Sequence, residues 1–320
     1  MLPSVSIEIW VLACCLFTWL ILYWGSYQSL EKILLAMVLL FSFITIVIAF
    51  SMQTTEYEVS INQISQGLTF NFPTEFLPLA LAVFGFTGIS YGEIMAYTYW
   101  CLEKGYAQDT SNNIEETKAW IKTMQTDVWV TVLFITIGTL PFFFLGAGVL
   151  HHVPELQESL ANNSFWDVDV IGALQNMFSL VLGGWAKWLF VVLAFFVLFS
   201  TLLSGTAAFT RTIADYLIST GLIFEQKETR IYLIKLIAFF IPFFSGIFYF
   251  ILPNPITLLI IAGIWAAMGL PIVNIGALYL ISKLDSDLQP KQTTKNILWL
   301  SLILQITMAL LIIYDMTVGF

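Results

Sequence analysis

Charge is what this sequence has least of. Of its 320 residues, only 10% are Asp, Glu, Lys or Arg, and 2 are His. A soluble domain of that length needs far more charged surface than this chain supplies. Cysteine is scarce too: Cys14, Cys15 and Cys101 show no spacing for a disulfide framework or a zinc site, and read as packing residues in apolar runs. The 12 basic residues are outnumbered by 21 acidic ones, which excludes a nucleic-acid partner. The first residues carry neither a basic region nor a small-residue cleavage site, which argues against a cleaved signal peptide. His151-His152 with Glu155 lacks the spacing of a zinc hydrolase and reads as a loop pair. Ser204-Gly205 has no His or Lys on a plausible partner span, so no nucleophile–base pair can be assembled. These gaps leave no enzyme class standing, and no resident cofactor is expected.

What the chain does have is apolar length. Hydrophobic residues make up 59% of it, with 28 Phe, 12 Tyr and 11 Trp. The mean hydropathy is +0.87. This composition predicts an all-α polytopic membrane protein whose main partner is the lipid bilayer. Eight spans of about twenty residues can be read: 8–24, 28–50, 77–101, 127–150, 180–210, 231–252, 255–281 and 296–317. They form one transmembrane domain over residues 1–320, with no soluble domain and no short tandem repeat. Eleven of the 12 basic residues fall in alternate loops, Lys187 being the exception. The other loops, 51–76, 151–179 and 253–254, carry acids and no Lys or Arg. The positive-inside rule makes the basic side cytoplasmic and sends both termini outward, with Asp315 near the outer surface. Within loop 102–126, Ser111 or Asn112 is expected to cap a short cytoplasmic helix near 114–122. Loop 151–179 holds Asn162-Asn163-Ser164, a glycosylation acceptor only in a cell that performs that chemistry.

One span has a soft centre. Between Leu77 and Trp100 lies Phe84-Gly85-Phe86-Thr87-Gly88-Ile89-Ser90-Tyr91-Gly92-Glu93. Glycine weakens a helix, and an acid is costly in lipid. Gly85, Gly88 and Gly92 could serve close helix packing, but packing alone does not account for Thr87, Ser90 and Glu93 in the same two turns. A broken helix lining a polar cavity does account for them, because uncoiled backbone can bind an ion or small solute. Phe86, Thr87, Ile89, Ser90 and Glu93 are therefore the first candidates for an ion or solute site. Glu93 reads equally as a cation or proton ligand, as the partner of a buried donor such as Arg211, or as a protonated carboxyl.

Secondary candidates lie further on. Ser200, Ser204, Ala207 and Ala208 share one helical face, suited to close packing, and the two hydroxyls could add oxygens to a cation path. Arg211 and Asp215 are spaced to pair one turn apart. Pro271 frees a carbonyl one turn earlier, and Asn274 could repair that kink or face the pathway.

Several segments together resemble the Nramp family of divalent-metal transporters. Gly25-Ser26-Tyr27-Gln28-Ser29-Leu30-Glu31-Lys32 is similar to the family's link between helices 4 and 5. Gly85-Phe86-Thr87 followed by Ile89-Ser90-Tyr91 falls where the family has Gly-x-Thr and then Met-Pro-His in helix 6. Asp127 matches an Asp that opens helix 7; Gly184 to Thr206 is similar to helix 8, and Leu270-Pro271 to the Leu-Pro of helix 10. The resemblance covers helices 4 to 11. It implies a LeuT-type fold of inverted repeats with helices 1 and 6 broken, and secondary transport of a divalent cation at the helix-6 break, coupled to protons in the family pattern. Phe86 and Ile89 would then be metal ligands.

Two departures qualify this. Ile89, Ser90 and Tyr91 replace Met, Pro and His, which removes the soft thioether and favours a harder cation such as magnesium. Nothing matches helices 1 to 3, where the family carries Asp-Pro-Gly-Asn. The expectation is a chain incomplete relative to the family, extended by an upstream reading frame or completed by a separate polypeptide. An amino-acid or other organic-solute symporter on the same fold, and a non-transporting membrane protein, are the alternatives. The expected location is the cell (inner) membrane.

Overall fold

The computed structural model describes residues 6–25, 27–69, 80, 83–84, 89–107, 113–154, 169–224, 226–252 and 254–314. Their regular structure is helical, with no strand among the described residues. Long apolar runs satisfy their own backbone only as helices, which is why the composition leads here. The helices are α1 (Ile7–Trp24), α2 (Tyr27–Met52), α3 (Ile61–Gly67), α4 (Tyr91–Glu103) and α5 (Ile114–Gly148). They continue as α6 (Val170–Leu182), α7 (Ala186–Ser219), α8 (Lys227–Ile251), α9 (Pro255–Lys283) and α10 (Gln292–Tyr314). Seven are long and apolar enough to cross a bilayer: α1, α2, α5 and α7 to α10. Span 77–101 lies partly outside the described residues.

The helix ends differ from the expected spans in three places. Span 180–210 straddles a break: α6 ends at Leu182, Gly183 turns with φ +89°, and α7 starts afresh at Ala186 and runs to Ser219. Only glycine takes that left-handed turn without strain, and hydropathy does not register it. Loop 151–179 turns helical from Val170, because the Asp169 carboxylate accepts from the Gly172 amide at 2.9 Å and starts α6. With 13 residues, α6 is roughly 20 Å long and too short to cross a ~30 Å core. The separate helix near 114–122 does not exist as such. No Gly or Pro falls between Ile114 and Ile137, so α5 is one 35-residue helix that continues through Asp127. Its cap is Asn113, whose Oδ1 accepts from the Glu115 and Glu116 amides at 3.1 and 3.4 Å. Ser111, Asn112, Asn162 and Asp315 lie outside the described residues.

The chain divides into two compact units, residues 1–69 with 136–255 and residues 70–135 with 256–320. In the first, Ile48 and Met52 of α2, Leu145 of α5, Met177 and Phe178 of α6, and Phe190 and Leu193 of α7 form a buried core. Phe178 and Phe190 meet edge to face with centroids 5.2 Å apart. Helix α1 lies against α8, where Cys15 Sγ donates to the Pro242 carbonyl at 3.2 Å. Asp215 of α7 has a partner other than the expected one: Arg230 of α8 clasps it with Nε to Oδ1 at 2.6 Å and Nη2 to Oδ2 at 3.0 Å. Arg211 donates from Nη1 to the Ala207 carbonyl at 2.8 Å. His152 uses Nδ1 on the Gly148 carbonyl at 2.7 Å.

In the second unit, Tyr106 Oη donates to Asp127 Oδ2 at 2.7 Å, and its ring packs on Trp120 at 4.9 Å. Together these contacts tie the chain after α4 to the first turns of α5.

Candidate cation site

Helix α4 starts abruptly. Ile89 and Ser90 are non-helical, and Ser90 is extended, with φ −76° and ψ 166°. The Ser90 carbonyl takes the first helical hydrogen bond, from Ile94 N at 3.1 Å. Glu93 Oε2 accepts from the Ser90 amide at 2.6 Å. Ser-x-x-Glu is a capping-box pattern, and it works here because the first amides of a helix lack partners inside it. Glu93 is therefore not the buried acid expected from its place in an apolar span. Its carboxylate is exposed and turned back on its own helix terminus. Phe86 and Thr87 fall in residues 85–88, outside the described residues.

Helix α9 supports this start. Gly269 carries the Tyr91 ring directly on its backbone: a Cβ there would stand 2.5 Å from Tyr91 Cδ1. Helical Phe84, like Ile264 and Met308, packs against the buried pair formed by Ala267 of α9 and Ile312 of α10. Five residues beyond Gly269, Asn274 turns to α10. It is 6% exposed, and its Nδ2 donates to Gln305 Oε1 at 3.1 Å and, at 3.5 Å, towards the Leu298 carbonyl. Gln305 Nε2 donates in turn to Ser301 Oγ at 3.2 Å. The proline-repair role expected of Asn274 is thus replaced by an interhelical bond, and α9 runs unbroken through Pro271. Asn274 Oδ1 is buried with no hydrogen-bond partner among the described residues. It is an acceptor left in need of a donor or a cation.

Ser200 and Ser204 belong to the other compact unit, on α7. Ser200 Oγ donates to the Val197 carbonyl at 2.8 Å and Ser204 Oγ to the Thr201 carbonyl at 3.4 Å. Each hydroxyl is folded onto its own helix and keeps its lone pairs. Ile89, Ser90, Glu93 and Asn274 all lie in the second unit. Among the described residues, no three of His, Cys, Asp and Glu converge. Gly269, Ser301 and Gln305 are the participants that sequence reading missed. A glutamine inside an apolar span was the available signal for Gln305.

Seven helices long and apolar enough to cross a bilayer define a polytopic integral membrane protein. The family profile for Nramp, described as natural resistance-associated macrophage protein-like, matches residues 1–316. The chain belongs to the Nramp family, and at family level it is a membrane divalent-metal transporter. No curated protein matches it, and no solved structure does.

Proposed function

We propose that this protein is a secondary transporter of a hard divalent cation such as Mg²⁺, coupled to protons, in the cell membrane. The cation is held where the chain uncoils before Tyr91. Phe86, Thr87 and Ile89 contribute backbone oxygens, Ser90 its hydroxyl and Glu93 its charge; Asn274, Ser200 and Ser204 serve as subsidiary oxygens along the path. The observation that carries this reading is the non-helical pair Ile89-Ser90 between helical Phe84 and α4, in a span that is otherwise apolar. Uncoiled backbone at membrane depth is tolerated where it is buried in protein or lines a wet cavity, and such positions bind ions. Family membership supports a divalent cation as substrate. The Ile89-Ser90-Tyr91 sequence supports a hard one, since no thioether or imidazole side chain is present there to favour a transition metal. Rocking of one helix bundle against another would expose the site alternately to each side.

Uptake into vesicles holding the purified protein tests this. Mg²⁺ is expected to enter, with Mn²⁺ a weaker competitor and amino acids without effect. Inhibition by amino acids but not by divalent ions would move the assignment to an organic-solute symporter. A thermal-shift series with Mg²⁺, Mn²⁺ and Ca²⁺ gives a second reading, because a ligand selective for the folded state raises its stability.

A further inference from the structure

The non-helical pair Ile89-Ser90 is followed directly by an aromatic anchor that rests on α9. Before the pair, Phe84 packs against the buried residues Ala267 of α9 and Ile312 of α10. After it, Tyr91 lies on Gly269. A Cβ at 269 would stand 2.5 Å from Tyr91 Cδ1, 2.8 Å from Cγ and 3.0 Å from Cε1. Carbon atoms settle at about 3.5–4.0 Å, so no side chain fits. The obstructing atoms are the near side of the ring. Cγ is joined through one carbon to the backbone of the first residue of α4, so the ring cannot yield without moving the helix start. Glycine inside a helix is unfavourable, and this one sits two residues before Pro271, which already removes a helical bond. Elsewhere on α9, Gly276 has nothing within 4 Å of its would-be Cβ. The demand for glycine at 269 is therefore not shared by Gly276.

We infer that Gly269 is a positioning residue for the cation site: by admitting the Tyr91 ring it sets where Ile89, Ser90 and the Glu93 cap stand. Its consequence for cation binding rests on the transport reading above; the geometry itself does not.

The test is a cycle of Gly269→Ala and Tyr91→Ala in the full chain, with Gly276→Ala and Tyr91→Phe as controls. In Mg²⁺ uptake, G269A is expected to raise KM about tenfold with Vmax changed less than about twofold. That effect should vanish in the Y91A background and persist with Y91F, while G276A stays silent. The same KM shift in both backgrounds, or none in G269A, would overturn the inference. Hydrogen exchange of the peptide 91–96 supplies a readout independent of substrate: G269A should speed it, and should add nothing to Y91A. If the wild type moves no divalent cation, the transport reading fails and this exchange arm alone decides. Equal exchange in wild type and G269A would then count against the seat. Should G269A fail to accumulate, recovery of folded protein by adding Y91A supports the clash, and no recovery refutes it.

Discussion

The Glu93 carboxylate lies 2.6 Å from the Ser90 amide, one turn back, at the point where α4 begins. A negative group at that end also meets the positive pole of the helix dipole. Glu93→Ala should cost about 1 kcal/mol of stability, in the range of lost N-terminal caps. Glu93→Gln keeps an acceptor oxygen and should lose only a few tenths. Denaturation in mixed detergent micelles measures both. Equal losses for the two variants would show that charge, not the cap, is what Glu93 contributes.

Two glycines of α5 are expected to behave oppositely. A Cβ at Gly148 would stand 2.7 Å from the Tyr57 carbonyl oxygen and 2.8 Å from Met52 Sδ, whereas one at Gly146 meets nothing within 4 Å. Gly148→Ala should destabilise by about 1–3 kcal/mol through overpacking. Gly146→Ala should be neutral or stabilising by up to about 1 kcal/mol, since alanine favours helix. Thermal unfolding of the two variants side by side decides, and matching midpoints would contradict the packing described for the end of α5.

Asn274 and Gln305 join α9 to α10 through a 3.1 Å bond. Asn274→Leu leaves the half-buried Gln305 acceptor without its partner and should cost about 1–2 kcal/mol. Adding Gln305→Leu should return part of that loss, because a pair replaced by apolar groups leaves nothing unsatisfied. Strictly additive losses in the double variant would mean the two amides are not coupled.

Arg230 grips Asp215 with two donors, at 2.6 and 3.0 Å, and both side chains are about one-third exposed, at 35% and 33%. Lysine cannot reproduce that fork, so Arg230→Lys should lose nearly as much as Arg230→Ala. The loss should stay near 1 kcal/mol given the exposure, and shrink in high salt. Unfolding at two salt concentrations checks both statements.

Much of the architecture was legible because apolar runs of about twenty residues admit few alternatives. The errors have local physical causes. Gly183 ends a helix by its backbone angle, which no hydropathy sum detects. The polar start of α5 suggests a loop with a separate helix, yet no Gly or Pro interrupts residues 114–137 and the helix runs on from its Asn113 cap. The bidentate partner of Asp215 comes from α8, which only packing brings near. At the candidate site, the glycine- and serine-rich composition coincides with the non-helical pair Ile89-Ser90 ahead of α4. Ser90-x-x-Glu93 carries a capping-box pattern, which the apolar surroundings of Glu93 obscure in the sequence. The docking of Tyr91 on Gly269 joins residues 178 positions apart, and no local pattern encodes it.

The most direct measurement is Mg²⁺ entry into liposomes containing the purified protein, followed with a lumenal indicator, for wild type and Ser90→Pro. Proline has no amide hydrogen for Glu93 and carries no hydroxyl. The account predicts saturable Mg²⁺ entry in the wild type and a large rise in KM in the variant, with the protein still folded. Saturable entry that S90P leaves unchanged would contradict it, and so would a well-folded wild type that admits no divalent cation.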